Sequence, residues 1–467
     1  MKTNKRAERV VNYTHEGAEA TPVPNAGAAL RRAIMSCMLF EDQFYESGVE
    51  ISARIAQLVN QVPPEVAAYF AVKAREDMKL RHAPLLVVRE MARSTPAHRR
   101  LVASTLANVI RRPDELTEFL ALYWKEKKQP LSAQVKKGLA RAFAKFNEYS
   151  LAKYDRDEAV KLRDVLFLSH AKPNDVPKDR VYTKDERKRG KRPTTAGEKL
   201  YQRVVERTLT TPDTWEVALS ALGSATPEEK QAEWTRLLTE ERLGALALLR
   251  NLRNMQEAKV DHDHIRVALE KVDVTMVLPH RFIAAARYAP IFEPLLEQKM
   301  FETTKLLPKL KGLTVFLVDV SGSMDTALSA KSDLRRLDAA CGVAMVGREM
   351  CEQAAVVTFS NQAVMVPPRR GFALRDAIVQ SQVHGSTYLG KAVEVVNKEV
   401  SKYDRIVVIT DEQSADHVPP PINGRKGYMI NVASYKHGVG YGQWNKIDGF
   451  SEAVMRYIAE FEQGEQV

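Results

Sequence analysis

The side chains best suited to chemistry stand at Asp319-Val320-Ser321-Gly322-Ser323. The apolar run Val315-Phe316-Leu317-Val318 before them has the composition of a buried strand, and it ends abruptly in an acid. Such a strand delivers Asp319 to the carboxyl edge of a sheet, where open α/β sheets bind ligands. One carboxylate and two hydroxyls at alternate positions are hard oxygen donors for a hard cation, and Gly322 lets the loop turn sharply.

Two further segments extend the donor set. Gly385-Ser386-Thr387 offers a hydroxyl in a flexible loop ahead of a helical segment. Arg405-Ile406-Val407-Val408-Ile409-Thr410-Asp411 is a second apolar strand ending in an acid. Parallel neighbouring strands would bring Asp319 and Asp411 to one sheet edge, with Thr387 above them. Asp319, Ser321, Ser323, Thr387 and Asp411, with a water, would fill an octahedral site, and Mg2+ is the expected cofactor.

Catalytic alternatives fail on residue type. Gly385–Ala392 matches a phosphate-binding loop until Ala392 stands where a Mg2+-binding Ser or Thr is needed, and the segment before it reads as helix rather than strand. A phosphoaspartate mechanism at Asp319 would want a second acid where Ser321 stands. Ser321 and Ser323 lack the Gly-x-Ser-x-Gly elbow of a hydrolase. No catalytic residue is expected.

The arrangement resembles the von Willebrand factor A domain and its metal-ion-dependent adhesion site. That resemblance implies Ser321, Ser323 and Thr387 as direct ligands and Asp319 and Asp411 as ligands through water. One position is then left for an acidic group of a partner.

The elements that position these residues follow from composition and periodicity. At 467 residues, with 45% hydrophobic and 28% charged content, the chain is expected to hold at least two domains of globular type. Strand-like runs at 313–318, 354–359, 405–410 and 428–432 alternate with helical segments such as 335–351 and 389–402. This alternation predicts a doubly wound, mainly parallel α/β sheet over 301–467. Residues 1–300 read as successive short helices without strand alternation, an α-solenoid of stacked pairs. Pro63-Pro64-Glu65, Thr95-Pro96, Pro113-Asp114-Glu115 and Thr211-Pro212-Asp213 are expected helix starts. Helices are expected over 132–147 and 157–173.

Cys37, Cys341 and Cys351 form no paired framework, and reduced, buried thiols are expected. The polar start Met1-Lys2-Thr3-Asn4-Lys5-Arg6 and the lack of a long apolar span lead to the expectation of a cytoplasmic protein.

Charge is unevenly placed. Residues 301–467 hold 19 basic and 19 acidic side chains, so the whole net charge of +11 belongs to 1–300. That is the pattern of a polyanion-binding half beside a neutral one. In the helix over 132–147, Lys137, Arg141 and Lys145 recur four residues apart with Lys136 beside them, opposite the stripe of Val135, Leu139, Ala142 and Phe143. Tyr149 and Tyr154 follow, interleaved with Lys153 and Arg156, as single-stranded nucleic acid binding would ask. A second cationic cluster spans 174–192 and includes Arg187, Lys188 and Arg189. Asp261-His262-Asp263-His264 has metal-ligand types, but adjacent positions on a helix start diverge, and an acid cap is the better account.

The string Leu162-Arg-Asp164-Val165-Leu-Phe-Leu168-Ser169-His170-Ala-Lys172-Pro173 resembles a hallmark of the TROVE module of the Ro autoantigen family. Arg81-His-Ala-Pro84-Leu-Leu and Leu248–Met255 are weaker echoes. TROVE-like helices followed by an A domain is the Ro order, so the resemblance spans nearly the whole chain. It implies HEAT-like repeats closed into a ring, small structured noncoding Y or Y-like RNA on the outer face, and single-stranded ends of misfolded RNA in the central hole. It further implies noncatalytic RNA quality control with an exoribonuclease such as polynucleotide phosphorylase, and no membrane partner. A monomer is expected. His170 matches the motif histidine and is the leading RNA-contact candidate, with Lys172 beside it. The competing reading is a metal-dependent adhesion or adaptor protein acting through the A domain, with the helices as a protein-binding solenoid. An RNase is disfavoured, because the helical half has no acid cluster or His pair.

Overall fold

The computed structural model describes residues 13–20, 25–35, 48–77, 80–155, 157–176, 195–221, 226–275, 277, 279–303, 305, 309–327, 334–400, 402–422, 425–433, 437–440, 442–448 and 453–462. It forms two compact units, one of residues 52–223 and the other of 1–51 together with 224–467. Among the described residues no helix is long and apolar enough to cross a membrane.

Helix α1 (Ala26–Met35) and the start of α2 (Gly48–Val59) precede the first of these units. The unit itself continues through α3 (Pro64–Glu76), α4 (His82–Arg93), α5 (Pro96–Val109), α6 (Asp114–Trp124) and α7 (Ala133–Phe143). It is completed by α8 (Glu148–Tyr154), α9 (Leu162–Ser169), α10 (Ala196–Glu206) and α11 (Trp215–Ala221). Pro64 and Pro96 open their helices at positions where a missing N–H costs nothing. The Thr95 and Ser132 hydroxyls accept from the backbone N–H of His98 and Val135. Helix α7 packs on α5 closely, because a Cβ added at Gly138 would stand 3.0 Å from Leu106 Cβ and 3.2 Å from Ala103 Cα.

Three expected boundaries move. The helix expected from Thr211-Pro212-Asp213 begins at Trp215, because buried Thr214 supplies the capping hydroxyl to the Val217 N–H at 3.4 Å. The helix over 132–147 stops at Phe143, and Asn147 instead caps α8 through the Ser150 N–H at 2.9 Å. The helix over 157–173 shrinks to Leu162–Ser169, started by Asp164 accepting from the Lys161 N–H at 2.9 Å.

A buried acid organises the early part of this unit. Glu115, fully buried in the first turn of α6, accepts from Arg75 Nη2 at 2.8 Å and Arg81 Nε at 3.3 Å with one oxygen. Its other oxygen takes the backbone N–H groups of Arg111 and Arg112 at 2.7 and 3.1 Å. Arg81 also reaches Asp114 and Glu118. The echo at Arg81–Leu86 is therefore a helix-joining element.

The other unit carries the end of the helical series, α12 (Pro227–Thr239), α13 (Ala245–Glu257), α14 (His262–Lys271), α15 (Pro279–Tyr288) and α16 (Glu293–Glu302). Six strands follow: β1 (Leu310–Asp319), β2 (Cys351–Phe359), β3 (Ala363–Met365), β4 (Arg405–Thr410), β5 (Lys426–Asn431) and β6 (Asn445–Asp448). Between and after them lie α17 (Arg336–Glu349), α18 (Gly371–Val379), α19 (Leu389–Glu399) and α20 (Ala453–Glu462). The sheet order is β3-β2-β1-β4-β5-β6, parallel except for β3. The strand order reverses between β1 and β4, the switch point at whose carboxyl ends open α/β sheets bind ligands. Small residues let α17 lie close to the sheet: a Cβ at Gly347 would stand 2.7 Å from the Phe316 ring. Helix α15 packs on α17, where the Arg287 guanidinium pairs with Asp338 at 2.8 Å. Cys341 and Cys351 are free and buried, and burial pushes both thiols up, Cys351 to about 11.

Candidate metal centre and basic helical faces

Strand register brings the two acids together. Val318 of β1 pairs with Ile409 of β4, so Asp319 and Asp411 both stand at the carboxyl ends of these neighbouring strands, and both are fully buried. Asp319 Oδ1 accepts the Ser321 N–H at 2.9 Å, and its Oδ2 accepts from Thr410 Oγ1 at 2.6 Å. Ser323 Oγ donates to Asp411 Oδ2 at 2.6 Å and lies 3.3 Å from Ser321 Oγ. Burial, and then the Asp411 charge, push the Asp319 carboxyl up to about 7.

Thr387, 2% exposed, sits on a loop tied to both strand ends. The Gly322 N–H donates to the Gly385 carbonyl at 2.9 Å, and the Ala415 N–H to the Thr387 carbonyl at 2.7 Å. Ser360, just past β2, holds the same loop by accepting the Gly385 N–H at 2.7 Å and donating to the Ser386 carbonyl at 3.2 Å. Asn361 accepts the Ser386 N–H at 3.0 Å.

These residues fit a hard divalent cation. Two carboxylates are buried side by side, and the hydroxyls beside them are oxygen donors with no competing soft ligand. Among the described residues no group of three His, Cys, Asp or Glu side chains could hold a metal, so any site here depends on its hydroxyls.

The same geometry disposes of nucleotide binding at 385–391. The N-terminal amides of α19 at Gly390 and Lys391 are both taken by the Asp416 carboxylate, at 2.8 Å each. A protein acid thus fills the place a phosphate would need, and the element before the loop is α18, a helix.

Several participants have no motif signal. Arg336, 1% exposed, places Nη1 3.6 Å from Asp411 Oδ2 and partly neutralises the acid pair. Glu412, buried beside Asp411, pairs with buried Lys446 of β6. The N-terminal segment also reaches this edge, with Thr14 Oγ1 donating to the Ser414 carbonyl at 2.6 Å and the His15 N–H to Gln413 Oε1 at 2.8 Å. Arg336 and Lys446 could have been suspected only as charges inside otherwise buried elements.

The cations proposed as RNA contacts fall into three groups. Lys137 and Arg141 are exposed on α7, with Lys136 half-buried beside them, and Lys172 is exposed after α9. None of these four forms an ion pair among the described residues. By contrast Lys145, past the end of α7, donates its ammonium to the carbonyls of Ala107 and Ile110 at the end of α5. Burial, and then Arg111, push its pKa down to about 8, so this cation is spent on a helix terminus. Arg187, Lys188 and Arg189, with the rest of 178–192, lie outside the described residues, as does Cys37.

His170 is the C-cap of α9 in the left-handed conformation, φ 54°, and its side chain is exposed. The cap is made by its backbone, so the imidazole is not consumed by it. Two apolar neighbours on α9 are also exposed, Phe167 at 58% and Leu168 at 37%. Of the two tyrosines, Tyr149 is 49% exposed, whereas the Tyr154 ring lies under Arg112 at 4.7 Å. At the start of α14, Asp261 accepts the Asp263 N–H at 2.7 Å as an acid cap.

Residues 314–413 match the family model described as von Willebrand factor type A domain. Among solved structures, the Ro (RSR) protein of Deinococcus radiodurans aligns with 95% of this chain and 100% of its own, at 18% identity and a TM-score of 0.59. An aerotolerance-related membrane protein of Bacteroides fragilis aligns with 26% of this chain and 67% of its own, at 17% identity and a TM-score of 0.21. Proximal thread matrix protein 1 of the mussel byssus gives 47%, 64%, 14% and 0.25 for the same quantities. Neither of these two superposes well enough to bear on the chain. No curated protein sequence matches it. The chain has the fold of a Ro protein, with helical repeats followed by an A-type domain.

Proposed function

We propose, from a Ro-like fold ending in a von Willebrand factor type A segment, that the chain is a noncatalytic, cytoplasmic RNA-binding protein. Its ligands are a small structured noncoding RNA of the Y type and the single-stranded ends of misfolded RNA, passed on to an exoribonuclease. The observation that carries this reading is the contrast among cations in residues 52–223. Arg75, Arg81, Arg89, Arg93, Arg111, Arg112, Arg203 and Arg207 are all paired with carboxylates. Lys136, Lys137, Arg141 and Lys172 are not. Unpaired cations, in a unit that also exposes Tyr149, Phe167 and His170, suit phosphates and unstacked bases.

In the A-type segment Ser321, Ser323 and Thr387 would hold Mg2+ directly, with Asp319 and Asp411 behind them. The cation, when bound, supplies a positive coordination point for an acidic group of a protein partner. The adaptor reading makes that contact the main activity. The unpaired cations favour RNA.

Binding of a labelled structured RNA, followed by anisotropy across a salt series, tests the proposal. The wild-type chain is expected to bind with a steep salt slope, and Lys137→Glu with Arg141→Glu to weaken binding at least roughly tenfold and flatten the slope by about two. An unchanged slope would sink the assignment of this face.

His170→Gly separates backbone from ring. Glycine adopts φ 54° without strain, so stability should be held or rise by up to about 1 kcal/mol, while RNA affinity falls. Equal affinity in this well-folded variant would remove His170 from the contact.

A further inference from the structure

Outside these sites, one seam between two helices gathers basic and aromatic side chains, two of the cations without an acid. We infer that the seam between α13 and α15 is a second contact for single-stranded RNA, in which Arg250 and Arg281 hold a phosphodiester and Tyr288 stacks a base. The inference rests on the RNA-binding reading and adds a site to it.

The geometry is regular. Helices α13 and α15 pack on each other. Leu246, Arg250 and Arg253 lie four and three residues apart, so they share one face of α13. Arg281 and Tyr288 are two turns apart on one face of α15. The Arg253 guanidinium lies over the Tyr288 ring, 5.7 Å from its centroid, which joins the two faces at one point. Arg250 stands one turn before Arg253 on α13 and Arg281 two turns before Tyr288 on α15, so both cations belong to the faces that this contact joins, and burial followed by the Arg250 charge lowers the Arg281 pKa.

The neighbouring charges are otherwise satisfied. Arg253 pairs with Glu257 at 2.8 Å, and Arg287 pairs with Asp338. Arg250 and Arg281 form no ion pair among the described residues. Two like charges brought together without an acid raise the free energy of the folded chain, and one phosphate between them would reverse that cost. Leu246 and Tyr288 are 46% and 41% exposed at the same seam. An apolar ring and side chain beside an anion site suit a nucleotide, which has both a phosphate and a π face, better than an acidic peptide.

The test uses the full chain and a fluorescein-labelled oligouridylate of about 15 nucleotides, read by anisotropy across a salt series. Arg250→Gln with Arg281→Gln should raise Kd roughly tenfold or more and lower the salt slope by about 0.7, the contribution of one phosphate on a single strand. Tyr288→Ala should raise Kd about fivefold or more with the slope unchanged. Thermal melting should show no loss in either variant. Tyr288→Ala, altered at an exposed ring, decides the matter if the double variant misfolds. Wild-type Kd and slope in the folded variants, with the wild-type chain binding RNA, would overturn the seam and leave the α7 face standing. Polyglutamate displacing the oligonucleotide as well as RNA does would overturn it in favour of an acidic protein. Absence of any RNA binding by the wild-type chain at low salt would remove both readings.

Discussion

Glu115→Ala is expected to cost residues 52–223 about 3–5 kcal/mol, the range for breaking one side of a buried ion pair. The carboxylate is fully buried and serves two guanidinium groups and two backbone N–H groups. Its removal strands Arg75, whose pKa burial already lowers and which Glu115 alone holds up. Arg81 keeps Asp114 and Glu118, so the loss centres on Arg75 and the two amides. Urea denaturation followed by helical circular dichroism should show an early transition. Glu126→Ala is the control, since that acid pairs with Arg89 and Arg93 while 64% exposed and should cost no more than about 1 kcal/mol. Equal losses in the two variants would mean the network is ordinary surface pairing.

Asp319→Asn should separate stability from cation binding. The amide can still accept the Ser321 N–H, and Thr410 can turn its hydroxyl to accept rather than donate. With EDTA present, the variant should melt no lower than the wild-type chain at pH 8, because one of two buried like charges is gone. The pH dependence carries the same sign. A carboxyl raised to about 7 in the fold, from an ordinary 3.8, holds its proton longer folded than unfolded. The wild-type chain therefore loses stability from this group as pH rises from about 4 to 7, and the variant should lack that decline. With Mg2+ at 100 times its Kd the wild-type chain should gain about 2.7 kcal/mol, and the variant almost none. A variant that still gains on Mg2+ would place the ion elsewhere.

The sheet was readable because its central strands are short apolar runs bounded by charge or turn residues. Residues 405–410 coincide with β4, and the starts of β1 and β2 were missed by three residues each. There, Leu310–Gly312 and Cys351–Gln353 mix polar with apolar types. Two strands carried no pattern. β3 is three residues long and half-exposed, and Asn445-Lys446-Ile447-Asp448 has one apolar residue because its lysine is neutralised by Glu412 in the core. The same limit applies to the site. Motif spacing names Asp319, Ser321, Ser323, Thr387 and Asp411, but Arg336 acts through a contact between distant elements, which no local pattern encodes. On the helical side, spacing alone gave Lys137, Arg141 and Lys145 equal standing. The end of α7 at Phe143 separates them, since Lys145 falls where it can reach the carbonyls of α5.

The bond from Thr14 to Ser414 spans most of the polypeptide, and it has a consequence for synthesis. Residues 52–223 are made as one uninterrupted stretch and can close on themselves while the ribosome is still working, as compact units commonly do. The other unit is split around them, so its opening segment must wait, without its distant partners Gln413 and Ser414, until the loop after β4 has been translated. For that interval Thr14 and His15 are open to chaperones and proteases. A nascent chain stalled before residue 413 should therefore be clipped near its start, and one stalled well beyond the sheet should not.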